Sequence, residues 1–148
     1  MAMQSGGGES ARASEHGAAS VRALSNLGEK VMYVDLEAEQ TQLRQEDEWR
    51  RMGRNAMTLV KYPDLRIVLE VMRQGARMER RRAETEGCMA LQVLSGRIRL
   101  EVGDDHLDLA AGRLVALDRT VPHDIEALEE SAFLIWLSWA EEPAAART

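Results

Sequence analysis

His123 has the widest chemical repertoire of any side chain in this 148-residue sequence, since an imidazole can bind a metal, move a proton or hold a ligand near neutral pH. It follows Val121-Pro122, so its backbone leaves a proline of fixed φ. Its potential partners are few. His16 lies in a Gly/Ser/Ala-rich stretch, and His106 falls in an alternating segment that turns it outward. Glu84 or Glu86 could reach His123 only from a loop, and a divalent ion needs three or four convergent donors. The segment Arg77-Met78-Glu79-Arg80-Arg81-Arg82 offers a different chemistry. Folded over beside His123, Arg81 or Arg82 would present a guanidinium able to make forked hydrogen bonds to a carboxylate or phosphate. The plainer reading is a solvated loop, because Glu79, Glu84 and Glu86 are interleaved with the arginines. Met89, Leu91 and Val93 share one strand face and suit the apolar floor of a pocket, or equally a packed core. Cys88, of opposite parity to Met89, has no neighbour that lowers its pKa and is expected to be inert packing. No glycine-rich phosphate loop, nucleophile-elbow serine or Cys/His zinc spacing occurs in the sequence.

These residues need elements to hold them, and the sequence supplies short ones. Apolar-alternating runs at 57–61, 65–72, 88–94, 98–102, 106–109, 113–117, 123–128 and 132–139 read as strands, punctuated by Gly96, Gly103 and Gly112. Eight short strands with tight turns predict an all-β chain: a single two-sheet jelly-roll barrel. Parity sends Ile98, Leu100 and Val102 inward and Arg97, Arg99 and Glu101 outward; likewise Leu107 and Leu109 point in. The runs 65–72 and 88–94 are apolar on both faces, as strands covered twice must be, whether by an N-terminal helix or by another subunit.

The barrel is expected to occupy residues 56–140, followed by a C-terminal tail at 141–148. Residues 1–28, built largely of Gly, Ser, Ala, Glu and Arg, bury too little apolar surface to offset their ordering entropy and read as a flexible tail. Between them, residues 29–55 form a helical arm. Asp35 is its N-cap, Glu37 and Glu39 fill its first turn, Arg50 and Arg51 its last, and Gly53 ends it. Its apolar positions, Leu36, Leu43, Trp49 and Met52, make one narrow stripe.

Composition narrows the partners. A formal net charge of −6 disfavours binding to a phosphate backbone, so nucleic acid is not expected. The longest strictly apolar run, 132–137, is far short of the ~20 residues that cross a bilayer. The N-terminus lacks the pattern of a secretory signal. A single cysteine cannot form an intramolecular disulfide, which agrees with a cytoplasmic location.

The runs Val93-Leu94-Ser95-Gly96-Arg97-Ile98, Leu109-Ala110-Ala111-Gly112-Arg113-Leu114-Val115-Ala116-Leu117 and Val121-Pro122-His123 resemble the small single-domain cupins, over about residues 65–139. In that family a first motif carries two histidines and a glutamate ahead of a glycine, and a second carries one histidine eleven positions after another glycine. Here Gly112 and His123 match the second motif, with Asp118 in place of its usual proline. Counting back from Gly96, the first motif's glutamate falls on Met89 and its histidines on Arg82 and Glu84, or on Arg81 if the loop carries an insertion. The resemblance therefore implies the jelly-roll fold without a complete metal site and with no cofactor.

The function expected on these grounds is a small-molecule-binding or regulatory barrel, not a catalyst, with His123, Arg81, Arg82, Met89 and Leu91 around a small organic acid. The alternative is a metal-dependent enzyme of the isomerase or dioxygenase type, with His123 and Glu84 or Glu86 as metal ligands. Strands apolar on both faces and an accessory helix point to a homodimer, as the resemblance also implies.

Overall fold

The computed structural model describes residues 21–23, 31–80 and 87–139. The chain divides into two compact units, Met1–Arg51 and Met52–Thr148.

In the first unit, β1 (Val21–Ala23) pairs antiparallel with β2 (Met32–Val34), Arg22 standing opposite Tyr33. This strand lies inside the segment read as a tail. Helix α1 (Leu36–Leu43) begins as expected: the Asp35 carboxylate accepts the Ala38 N–H at 3.1 Å. The arm is not one helix. It stops at Arg44, whose N–H bonds to the Gln40 carbonyl, and α2 (Asp47–Met52) starts after a turn. The polar run Arg44-Gln45-Glu46 offers nothing to bury, while Asp47 and Glu48 suit a second N-terminus. Leu43 and Trp49 of the expected stripe are buried, whereas Met52 is exposed and Glu39 is fully buried.

The second unit holds the sandwich. Its strands are β3 (Arg54–Lys61), β4 (Leu65–Met72), β5 (Arg77–Arg80), β6 (Cys88–Ser95), β7 (Arg97–Val102), β8 (Asp105–Ala110), β9 (Leu114–Asp118), β10 (His123–Ala127) and β11 (Ser131–Ser138). One antiparallel sheet runs β3-β4-β11-β6-β9 and the other β5-β10-β7-β8. The eight expected strands are all present with small shifts at their ends. Strand β5 is an addition: within its charged run only Met78 is apolar, too little for alternation to register, yet Met78 faces Ile125 across the ladder and is buried.

The inner faces meet in a core built on Met72, Leu91, Ile98, Leu100, Ile125, Phe133 and Ile135. Burial of side chains of this size contributes about 1.5–3 kcal/mol each. Leu69 and Val71, which alternate to the outer face of β4, are also fully buried in the single chain.

The outer face of the four-stranded sheet is ionic. Arg77 reaches Glu126 on the neighbouring strand at 3.2 Å and, across β10, Glu101 on β7 at 3.1 Å. Arg99 grips Asp108 with a two-pronged contact at 2.8 and 3.2 Å. The hydrogen bond from Arg99 holds the Asp108 carboxyl below its usual range, and the one to Glu101 raises the Arg77 guanidinium.

Gly96 makes the turn from β6 to β7 at φ +79, where a Cβ would collide with the Glu130 carbonyl and the Ser131 hydroxyl. That hydroxyl accepts the Arg97 N–H at 2.9 Å and lies 2.8 Å from the Glu129 carbonyl, tying the turn to the start of β11.

Candidate functional site

His123 opens β10, opposite Arg80 of β5. It alternates with Ile125 and Ala127, so its ring turns inward, and only 5% of the residue is exposed. Its position is set by the preceding turn. The Asp118 carboxylate accepts the N–H of Thr120 at 2.9 Å and the Thr120 hydroxyl, and the Val121 N–H closes on the Asp118 carbonyl at 3.0 Å. Those bonds from Thr120 hold the Asp118 carboxyl below its usual range. Asp118, which stands where the resemblance leads one to expect proline, thus stiffens the same turn by hydrogen bonding.

The turn delivers the Val121 carbonyl to within 3.0 Å of His123 Nδ1. A carbonyl only accepts, so Nδ1 is the donor, and in the neutral ring Nε2 then presents a lone pair. Nε2 is buried and, among the described residues, has no hydrogen-bond partner.

Among the described residues the donor set does not make a metal centre. Among the described residues no three His, Cys, Asp or Glu side chains converge. Met89 occupies the glutamate position of the resembled motif, and His106 is exposed on β8, opposite Glu101. Arg81, Arg82, Glu84 and Glu86 lie outside the described residues.

Met89 and Leu91 face inward as parity requires. Opposite Leu137 and Ile135 in the ladder, they are packed into the core at 3% and 0% exposure. Cys88 is exposed, not packed.

Among the described residues, a cavity of about 520 Å³ lies at the open seam between the sheets, beside edge strands β8 and β9. Leu100, Val102, Leu107, Val115 and Leu117 line it, with Asp105 and His106 at its polar margin. The β10–β7 ladder pairs Asp124 with Glu101, so His123 lies one step further, alongside Val102. Single-strand periodicity marks these residues as inward-facing but not as lining, since the gap arises from two edges that pair with nothing.

No family model and no curated protein matches the sequence. Solved structures do match in fold. An RmlC-like cupin protein from Desulfovibrio desulfuricans superposes with a TM-score of 0.55 at 17% identity, covering 60% of this chain and 84% of that one. KdgF from Halomonas sp. gives 0.54 at 20% identity over 60% and 82%. The Cupin_2 domain of an XRE family transcriptional regulator from Enterobacter cloacae gives 0.56 at 14% identity, over 60% of this chain and 99% of that one. Two antiparallel sheets in this strand order, matched by these structures, establish that the chain carries a domain of the cupin fold.

Proposed function

We propose that this cupin-fold barrel is a small-molecule-binding or regulatory module and not a catalyst. The observation that carries the reading is the cavity of about 520 Å³ between β8 and β9, apolar on its walls and within the size range of small-ligand sites. His123 supports it from beside Val102 with an inward lone pair that a ligand hydroxyl or amide could satisfy. The occurrence of a similar domain in a transcriptional regulator is in keeping with a sensing role.

The test uses the neutral fluorophore N-phenyl-1-naphthylamine. Saturable fluorescence enhancement is expected with the wild-type chain, and its loss in Leu107→Glu, a substitution at a residue half exposed on the cavity rim. Absence of saturable binding, or equal binding by the variant, would refute the reading.

The same reading has the chain cytoplasmic and homodimeric. Among the described residues no helix is long and apolar enough to cross a membrane. Leu107 and Leu114, exposed on the edge strands, are the apolar contribution to self-association. Light scattering at micromolar concentration is expected to return twice the chain mass; the chain mass itself would remove the dimer.

A further inference from the structure

Arg66, Trp139 and Arg119 come together at one end of the five-stranded sheet, brought there by three different strands. Arg66 stands opposite Leu137, Leu137 opposite Met89, and Met89 opposite Leu117. Residues opposite one another in a ladder share a face, and Met89, Leu117 and Leu137 belong to the core or pack on it. The row is therefore inward-facing. Two positions beyond Leu137 and Leu117, the same parity carries Trp139 and Arg119 to that face just past the strand ends. The guanidinium carbon of Arg119 lies 4.6 Å from the Trp139 ring centroid and that of Arg66 lies 5.3 Å from it.

Among the described residues, the charge gathered there is not met by acid. Arg66 Nε and Arg119 Nη1 are both buried without a hydrogen-bond partner. Among the described residues, neither arginine forms an ion pair, whereas Arg77, Arg97 and Arg99 on the other sheet all contact carboxylates. Asp118, the acid adjacent to Arg119, spends its carboxylate on Thr120. In a chain of net charge −6, acid to neutralise the pair is plentiful. Two like charges against one ring repel each other, and an indole face offsets only part of that repulsion. An oxyanion would offset the rest, because guanidinium N–H groups form their strongest hydrogen bonds with charged oxygen.

We infer that Arg66, Trp139 and Arg119 form a binding site for a small oxyanion, a carboxylate or a phosphate ester, whose oxygens bridge the two guanidinium groups while its carbon part rests on the indole. Leu117, two residues before Arg119, lines the β8–β9 cavity. The inference thus deepens the small-molecule reading by giving the ligand an acidic group, and rests on that reading for the ligand's apolar part alone.

The experiment is an NMR titration of the full chain with inorganic phosphate and, separately, with benzoate, each against chloride at matched ionic strength. The indole N–H signals of the three tryptophans report. One of them is expected to move saturably with an oxyanion and not with chloride; a response to phosphate alone assigns a phosphate ester, and to benzoate alone a carboxylate. Arg66→Gln and Arg119→Gln should each weaken that response about tenfold or more, as loss of a charge-assisted hydrogen bond requires. The other two indole signals, unmoved, certify the fold of each variant. The wild-type titration decides by itself if a variant does not fold. No indole response to either anion, or undiminished affinity in both folded variants, would overturn the inference. Binding of the neutral fluorophore without any oxyanion response would overturn it and leave the cavity reading standing; the opposite pair of results would do the reverse.

Discussion

The Nδ1 atom of His123 lies 3.0 Å from the carbonyl oxygen of Val121, two positions earlier in the chain. In the neutral ring this short-range bond fixes the tautomer and turns a lone pair into the barrel, where Nε2 has no partner among the described residues. A buried acceptor left unsatisfied costs on the order of 1–3 kcal/mol. His123→Phe loses the bond to Val121 but also removes that orphan at similar ring volume, so its urea midpoint should change by the equivalent of about 1 kcal/mol or less. His123→Ala leaves a void and should cost about 2–4 kcal/mol. A large loss in the phenylalanine variant would show that Nε2 is satisfied in solution.

Metal content gives a second expectation. One inward imidazole, with methionine in place of a carboxylate, should leave protein purified without chelator holding far less than one divalent ion per chain. Added zinc or manganese should not raise the melting temperature, since only an ion bound to the native state stabilises it. Elemental analysis checks this. Stoichiometric iron, manganese, nickel or zinc that disappears in His123→Ala would mean that Glu84 or Glu86 completes a site.

The Arg99–Asp108 contact predicts a pH dependence. Arg99 lowers the Asp108 pKa from its ordinary 3.8. A carboxyl whose folded pKa lies below the unfolded one adds stability above the unfolded value and loses it as pH falls through the folded value. Arg99→Ala should therefore melt below wild type at neutral pH, and the gap should close as the pH falls through the lowered Asp108 pKa. The pair is solvent-accessible, so added salt should shrink the same gap. A gap that persists in acid would show that Arg99 acts through its alkyl stem instead of its charge.

The β6–β7 turn is a substitution-sensitive point of the barrel. At Gly96 a side chain meets both a backbone conformation costing about 1–3 kcal/mol and a collision with Glu130 and Ser131. Gly96→Ala should lower stability by more than that strain alone. Ser131→Ala, which leaves the Arg97 N–H without its acceptor, should cost about 1–3 kcal/mol. Chemical denaturation measures both, and a near-neutral Gly96→Ala would mean the turn can shift its neighbours.

The frame of the protein was legible because it is local. Alternation along 98–102 or 106–109 declares a two-faced strand by itself, and Gly96, Gly103 and Gly112 all take the positive φ that their turns demand. Met89 and Leu91 show where that reasoning stops. Parity placed them inside, but whether an inward residue lines space or fills it depends on neighbours such as Leu137 and Ile135 across the ladder, which no single strand reveals. The cavity depends on two unpaired edges, and the Arg66–Trp139–Arg119 group depends on the register of four strands, so neither leaves a pattern in any one segment. Charge hid β5, and the break in the arm at Arg44 followed from a second acidic start at Asp47.

The span of Arg77 over β10 to Glu101 has a consequence for the sheet's margin. Beyond its backbone ladder to β10, strand β5 has one greasy anchor, Met78, and ion contacts from Arg77 that water and electrolyte compete for. Its amides should exchange with deuterium faster as sodium chloride rises, while those of β7, seated on Ile98 and Leu100, hold their protection. The strip leading toward residue 81 is thus a hem whose fraying is set by the ionic strength around it.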